Sequence, residues 1–309
     1  MNYAYRSSIP RTLIGRGVVV LLALGTIGCQ QAIGASRLGP AAVRTANAGA
    51  DQTNGPIMVI GGGKDQDLIM QTFITLSGGK AAPLVVVTLA SDDPAKSGQA
   101  YVDYLKQLGC TNARFILPST SGTAPDQQAF AAGRGFFFSG GDQRRILSNL
   151  TGTWQTAIKS AWQHGATIAG TSAGAMVWGR TAILGGDPQQ TAWYGEDPTH
   201  DGIRLGSGFG FLPGTVVDTH FSERGRLPRL AFATAKDAGG LGIGVDPQTA
   251  AIIRPSGSLT VTGNGTVTVV QVPAQPIKLP MSLKNMTVSV LSAGDEWANG
   301  IKTKAAAIR

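Results

Sequence analysis

Ile168-Ala169-Gly170-Thr171-Ser172-Ala173-Gly174-Ala175 is the stretch whose reading decides the fold. An apolar run ends in a small-residue turn, and the Ala, Met and Val residues beyond it can begin a helix. The flanking residues fit Gly-x-Ser-x-Gly, in which a sharp strand-to-helix turn lifts a serine hydroxyl clear of a sheet and glycine lets the backbone bend. Ala173 and Ala175 keep that turn uncrowded. Ser172 is the candidate nucleophile, and a tight turn with an incidental serine is the competing reading.

Working outward, the segments before this turn alternate. Residues 56–60 form a short, continuously apolar run of the kind buried on both faces of a sheet, and the run ends in Gly61-Gly62-Gly63. The pattern then predicts a helix over 67–76, a strand over 84–89, a helix over 97–108 with Tyr101, Leu105 and Leu108 on one face, and a strand over 113–117. A helix over 125–132, a strand over 136–138, the turn Ser139-Gly140-Gly141-Asp142-Gln143 and a helix over 154–164 lead to the strand at 166–169. Strands alternating with helices specify an α/β fold, a mostly parallel central sheet flanked by helices on both faces. Ligands in such sheets sit at the carboxyl ends of the strands, where both Gly140-Gly141 and Ser172 fall.

After Gly179 the chain becomes loop-rich from 185 to 210, which suggests a functional loop or a cover over a site. Strand character returns at 215–217, ahead of Asp218-Thr219-His220-Phe221. Residues 222–236 read as a helix that starts late because of Gly225 and Pro228. Short strands follow at 242–245 and 250–253. Residues 258–261 and 266–272, joined by Gly263-Asn264-Gly265, read as a C-terminal antiparallel hairpin, with one more strand at 287–291.

The first residues have a different character. Arg6, Arg11 and Arg16 precede an apolar run from Val18 to Ile27, the layout of a secretory signal peptide and too short to span a bilayer. The organisation expected is a leader over 1–35, a flexible lead-in over 36–54 and a single α/β domain over 55–309. Thr26-Ile27-Gly28-Cys29 loosely resembles a lipoprotein box, so a leader ending before Cys29 and a lipid anchor there is the alternative to cleavage after Ala35. Export to the periplasm or the exterior is the localisation expected. Loss of residues 1–28 removes three arginines and no acid from a formal charge of +8. The remaining Lys and Arg are scattered and aromatics are few, which excludes the clustered basic face of a nucleic-acid binder. Without Cys29 only Cys110 remains, so no intrachain disulfide is expected. Two cysteines and three histidines form no metal-ligand pattern, and neither a metal nor an organic cofactor is expected.

A serine hydroxyl needs a base to take its proton. His164 reads as a helix-end residue and His200 as a loop residue. His220 follows an apolar strand, at the kind of sheet edge where Ser172 stands, and is the candidate base. An oxyanion needs donors, and the amides of Ala173 and Gly141 are the candidates. Gly140-Gly141 also fits a phosphate cradle, and Gly61-Gly62-Gly63 hints weakly at a dinucleotide loop.

Taken together, Gly170-Thr171-Ser172-Ala173-Gly174-Ala175, Phe138-Ser139-Gly140-Gly141-Asp142-Gln143, Asp218-Thr219-His220-Phe221, Arg224-Gly225-Arg226-Leu227-Pro228-Arg229-Leu230 and Gly242-Ile243-Gly244-Val245-Asp246 resemble, in order, the cyanophycinase family of serine peptidases. That family includes dipeptidase E and shares the class I glutamine-amidotransferase-like fold. The resemblance implies an exopeptidase that hydrolyses cyanophycin, a polyaspartate bearing arginines, or related aspartyl peptides, to β-Asp-Arg-type dipeptides through an acyl-enzyme at Ser172. It also implies a homodimer. The substrate positions it implies are Gln143, Asp218, Arg224, Arg226 and Arg229, where arginine forks suit carboxylates and Asp218 suits a guanidinium.

Two departures stand out. Thr219 replaces a glutamine, and Pro247 replaces the glutamate expected to orient the histidine. Asp246 is the expected substitute, with Asp187 the alternative and absence of any orienting acid the third case. These departures leave open a peptidase or amidase of altered specificity, or a catalytically impaired envelope protein that binds peptides.

Overall fold

Ile57-Met58-Val59-Ile60 sends Ile57 and Val59 into one apolar cluster and Met58 and Ile60 into another, so this strand has no polar face. It is the first element of a computed structural model in which residues 54–64, 66–118, 124–237, 240–298 and 301 are described. The expected leader, Cys29 and all of the lead-in except Asn54 lie outside the described residues.

In chain order, β1 (Ile57–Ile60) leads to α1 (Asp67–Leu76), which buries Ile69, Met70, Phe73 and Ile74 along one face. β2 (Leu84–Val87) precedes α2 (Pro94–Gln107), whose start is fixed by Pro94 and by the Asp93 carboxylate accepting from the Lys96 amide. β3 (Ala113–Phe115), α3 (Ala124–Ala131) and β4 (Gly135–Phe138) follow, then α4 (Gln143–Asn149) and α5 (Gly152–Gln163). Trp154, Ile158 and Trp162, spaced by four, form the buried stripe of α5. β5 (Thr167–Thr171) runs into a short 3₁₀ turn, Ser172–Gly174. Beyond it come β6 (Thr181–Gly185), α6 (Pro188–Tyr194), β7 (Arg204–Ser207), β8 (Thr215–Thr219) and α7 (Leu227–Lys236). The chain ends in β9 (Leu241–Val245), β10 (Thr249–Ile253), β11 (Leu259–Gly263), β12 (Val267–Gln271), β13 (Thr287–Leu291) and β14 (Glu296–Trp297).

The central sheet has eight strands in the order β14-β11-β10-β1-β5-β4-β2-β3. From β1 through β5, β4 and β2 to β3 it is parallel, and β10, β11 and β14 add antiparallel strands at the other edge. This is the α/β, mostly parallel sheet read from the sequence. On one face Phe137 packs with residues of α1 and α2; on the other, Phe136 and Phe138 share a core with α5 and with Val217, Ile243 and Val267 of a second sheet.

That second sheet, β13-β12-β9-β8, was not legible as a separate layer. The C-terminal strands are antiparallel as expected, yet the two arms of the expected hairpin belong to different sheets: β11 pairs with β10, and β12 with β9 and β13. Gly263, at φ +114, turns the chain out of the central sheet, and the Thr266 amide and hydroxyl both donate to Asp246, which directs it toward β9. Within 185–210, expected to be irregular, Pro188 and the Asp187 carboxylate, accepting from the Gln189 and Gln190 amides, start α6. The helix after His220 starts only at Leu227, because Gly225 at φ +56 keeps the preceding residues in a turn.

Candidate active site

Pairing in the central sheet brings three strand ends together. Ile60 lies beside Thr171 and Phe138 beside Gly170, so the loops after β1, β4 and β5 share one carboxyl edge. Gly140 packs directly on the serine: a Cβ added there would lie 3.3 Å from Ser172 Cβ and 3.8 Å from its Oγ. Gly141, at φ +136, has no room for a side chain, since its Cβ would stand 2.0 Å from the Ala90 carbonyl oxygen.

The serine turn differs in detail from the sequence reading. Gly170 and Gly174 are needed for close approach, a Cβ on Gly170 falling 2.2 Å from the Gly174 oxygen and one on Gly174 falling 2.4 Å from the Phe138 oxygen. The left-handed backbone belongs to Ser172 itself, at φ +52. A non-glycine residue held there is strained, as nucleophile turns are. Ala173 follows in the 3₁₀ turn, whose first amides have no acceptor within the helix.

β8 delivers His220 to the same edge. Its amide donates to the Gly61 carbonyl at 2.9 Å, tying the second sheet to the end of β1. Its Nε2 lies 3.0 Å from Ser172 Oγ, and its Nδ1 lies 2.5 Å from Glu223 Oε1. A carboxylate only accepts, so Nδ1 carries the proton and Nε2 is left to accept from the serine hydroxyl. Burial pulls the imidazole below its ordinary pKa, opposed by the Glu223 hydrogen bond and aided by Arg224 and Arg226. The ring rests on the triglycine loop, a Cβ on Gly62 (φ +95) falling 2.3 Å from Nε2. Gly61-Gly62-Gly63, read from sequence as a weak nucleotide signal, is thus the seat of the histidine.

The two expected orienting acids are elsewhere. Asp246 Oδ1 accepts from the Ser222 amide and hydroxyl and Oδ2 from Thr266; burial would raise its pKa, and these bonds outweigh burial to hold it low. Asp187 caps α6. Glu223, which sequence reasoning missed, lies ahead of the late start of α7, in a turn closed by the Gly225 amide donating to the Ser222 carbonyl, and that turn points it back at His220. His164 bonds the Ser160 carbonyl at a helix end, and His200 stacks on Tyr194 at the surface.

Of the expected substrate residues, Asp218 and Arg229 are both buried and held to each other by two bonds of 2.6 and 2.7 Å. Neither is free to meet a ligand. Arg226 is mostly buried, donates to Asp218 and to the Thr219 carbonyl, and is drawn by burial, against the pull of Asp218, to a pKa of about 10. Arg224 is exposed, its Nε 3.4 Å from Glu223. The Gln143 amide donates to the Ile183 carbonyl at 2.8 Å. Thr219 is fully buried, its hydroxyl without a hydrogen-bond partner among the described residues, so it faces the protein interior. Among the described residues no three His, Cys, Asp or Glu side chains gather as metal ligands.

A hydroxyl, an imidazole and a carboxylate in line at a strand end define a serine hydrolase by geometry. Residues 57–260 match peptidase family S51, and the chain belongs to that family. It is 32% identical over 258 residues to a cyanophycinase of Synechococcus elongatus, covering 78% of each chain, and 32% identical over 261 residues to one of Trichormus variabilis, covering 79% of this chain and 86% of that one. A peptidase from an acI-B1 actinobacterium, 20% identical, superposes with a TM-score of 0.56 over 80% of this chain and 98% of its own, and shares the fold. The chain is therefore a serine peptidase.

Two outcomes follow from this geometry. Gly62→Ala should displace the imidazole and slow fluorophosphonate labelling of the serine by roughly 10²-fold or more, as a shift of about 1 Å in a reacting group does; labelling at the unaltered rate would refute the seat. Asp218→Ala leaves Arg229 buried and unpaired, and should lower stability by about 3–5 kcal/mol, read as a fall in the denaturant midpoint.

Proposed function

We propose that the chain hydrolyses aspartyl peptides of the cyanophycin type, with Ser172 as nucleophile and His220 as base. The observation that carries this is the 3.0 Å contact between His220 Nε2 and the hydroxyl of a serine held at φ +52. Ser172 Oγ attacks the scissile carbonyl while its proton passes to Nε2. The amides of Ala173 and Gly141 hold the oxyanion. The tetrahedral intermediate collapses, the amine leaves with the proton from His220, and water repeats the sequence on the acyl-enzyme.

The substrate class draws its support from the curated relatives, which are cyanophycinases, and from Arg224 and Arg226 beside the histidine, cations suited to aspartyl carboxylates. A second reading, a peptidase of altered specificity, is favoured by the mutual pairing of Asp218 and Arg229 and by the buried Thr219. Turnover of cyanophycin against aspartyl, isoaspartyl and ordinary dipeptides separates the two.

Ser172→Ala should abolish hydrolysis of cyanophycin and of every active dipeptide while leaving the fold intact; retained turnover refutes the nucleophile. Since His220 must be neutral to accept a proton, activity should rise with pH through an acid limb below the ordinary histidine range of about 6.5. Export, which rests on the leader pattern alone, predicts a mature protein beginning after Ala35, or at a lipid-modified Cys29, in the secreted or envelope fraction. An intact N-terminus on cytoplasmic protein refutes it.

A further inference from the structure

We propose that Glu223 is the positioning residue of this active site, a carboxylate supplied from the histidine's own turn in place of one from the loop after β9. The proposal rests on the reading of Ser172 and His220 as nucleophile and base.

Position 247, in the loop after β9, follows Asp246 and is proline, which carries no acid. Asp246 has both carboxylate oxygens engaged, one by Ser222 and one by Thr266. Asp187 is spent on two backbone amides at the start of α6. Glu223 alone of these acids meets the imidazole, at 2.5 Å from Nδ1.

The turn that makes this possible is built locally. His220 is itself in the left-handed region at φ +47, the Gly225 amide donates to Ser222, and the Arg226 amide donates to Phe221. Three residues after the histidine, the glutamate is thereby folded back onto the ring. Asp246 pins the start of the same turn through the Ser222 amide and hydroxyl, and so acts one step behind Glu223. The two acids divide the work: one fixes the loop, the other fixes the ring and its tautomer.

The groups facing the imidazole are Ser172 from the 3₁₀ turn, the Gly62 backbone from the loop after β1, and three charged side chains of its own segment, Glu223, Arg224 and Arg226. Of these only Glu223 favours the imidazolium. Its carboxylate is about half exposed, at 45% for the side chain, and lies 3.4 Å from Arg224 Nε. Its removal therefore leaves no buried partner unsatisfied other than the His220 N–H, and the core stays intact.

Fluorophosphonate labelling of the full chain reads this without knowledge of the substrate. In that reaction the Ser172 Oγ–P bond forms, fluoride leaves and the serine proton goes to His220 Nε2. The experiment compares wild type, Ser172→Ala, Glu223→Gln and Glu223→Ala in labelling rate against pH, with thermal melting as the check of folding. Expected are a loss of roughly 10²–10⁴-fold in rate for both Glu223 variants, by analogy with removal of the third member of a triad, and an acid limb moved to lower pH, since the imidazolium has lost its one stabilising charge. Melting should stay near the wild-type value. A downfield Nδ1–H proton resonance, present in wild type and lost in Glu223→Gln, is the spectroscopic counterpart. Glu223→Gln labelling at the wild-type rate, or with the acid limb unmoved, overturns the proposal. Labelling of Ser172→Ala instead overturns the nucleophile, and the two failures are thus told apart.

Discussion

The amide of His220 donates to the carbonyl of Gly61, and on this hydrogen bond the geometry of the site depends. It joins the end of a strand in one sheet to the end of a strand in another, and neither sheet alone contains both the serine and the histidine. The neighbouring Gly62 has no side chain, so the imidazole can settle against backbone and still reach Ser172 Oγ. A second link, from the Gln248 amide to the Gly62 carbonyl, holds the triglycine loop from the far side. The loop is thus fixed at both faces, and the ring it supports has little freedom to swing away from the serine.

Charge is divided between scaffold and working surface by burial. Asp218 and Arg229 lie inside, where an ion is tolerated only when paired and hydrogen-bonded, and they complete each other. Asp246 has four donors within hydrogen-bond distance and serves the loops on either side of it. What faces outward beside His220 is the pair Glu223 and Arg224, with the mostly buried Arg226 behind them. A residue type that suits substrate recognition therefore does not establish it: Arg229, buried and held by both oxygens of Asp218, serves the scaffold, whereas the exposed Arg224 faces outward.

Backbone strain marks the two reacting residues. Ser172 and His220 are both non-glycine residues at positive φ, and each is held there by tertiary contacts of its turn. The glycines around them have the complementary task of letting backbone approach backbone. Their positions are dictated by what lies opposite, such as the Ala90 carbonyl against Gly141 and the Phe138 carbonyl against Gly174.

The alternation of apolar runs and helical stripes was sufficient to show the α/β fold and the parallel sheet and to put Ser172 and Gly140-Gly141 at its carboxyl edge, because period and order are local properties that a chain carries in its residues. The ordered motifs likewise pointed to the family. Three things were decided only in space. β11 and β12 parted into different sheets, because Gly263 and the bonds from Thr266 to Asp246 redirect the chain. Asp218 and Arg229 turned toward each other, because burial demands pairing. The acid beside the histidine proved to be Glu223 instead of Asp246 or Asp187, because the glycine turn between His220 and α7 returns the glutamate to the ring. Sequence reports which groups are present; which group meets which is set by the packing of turns that no local period encodes.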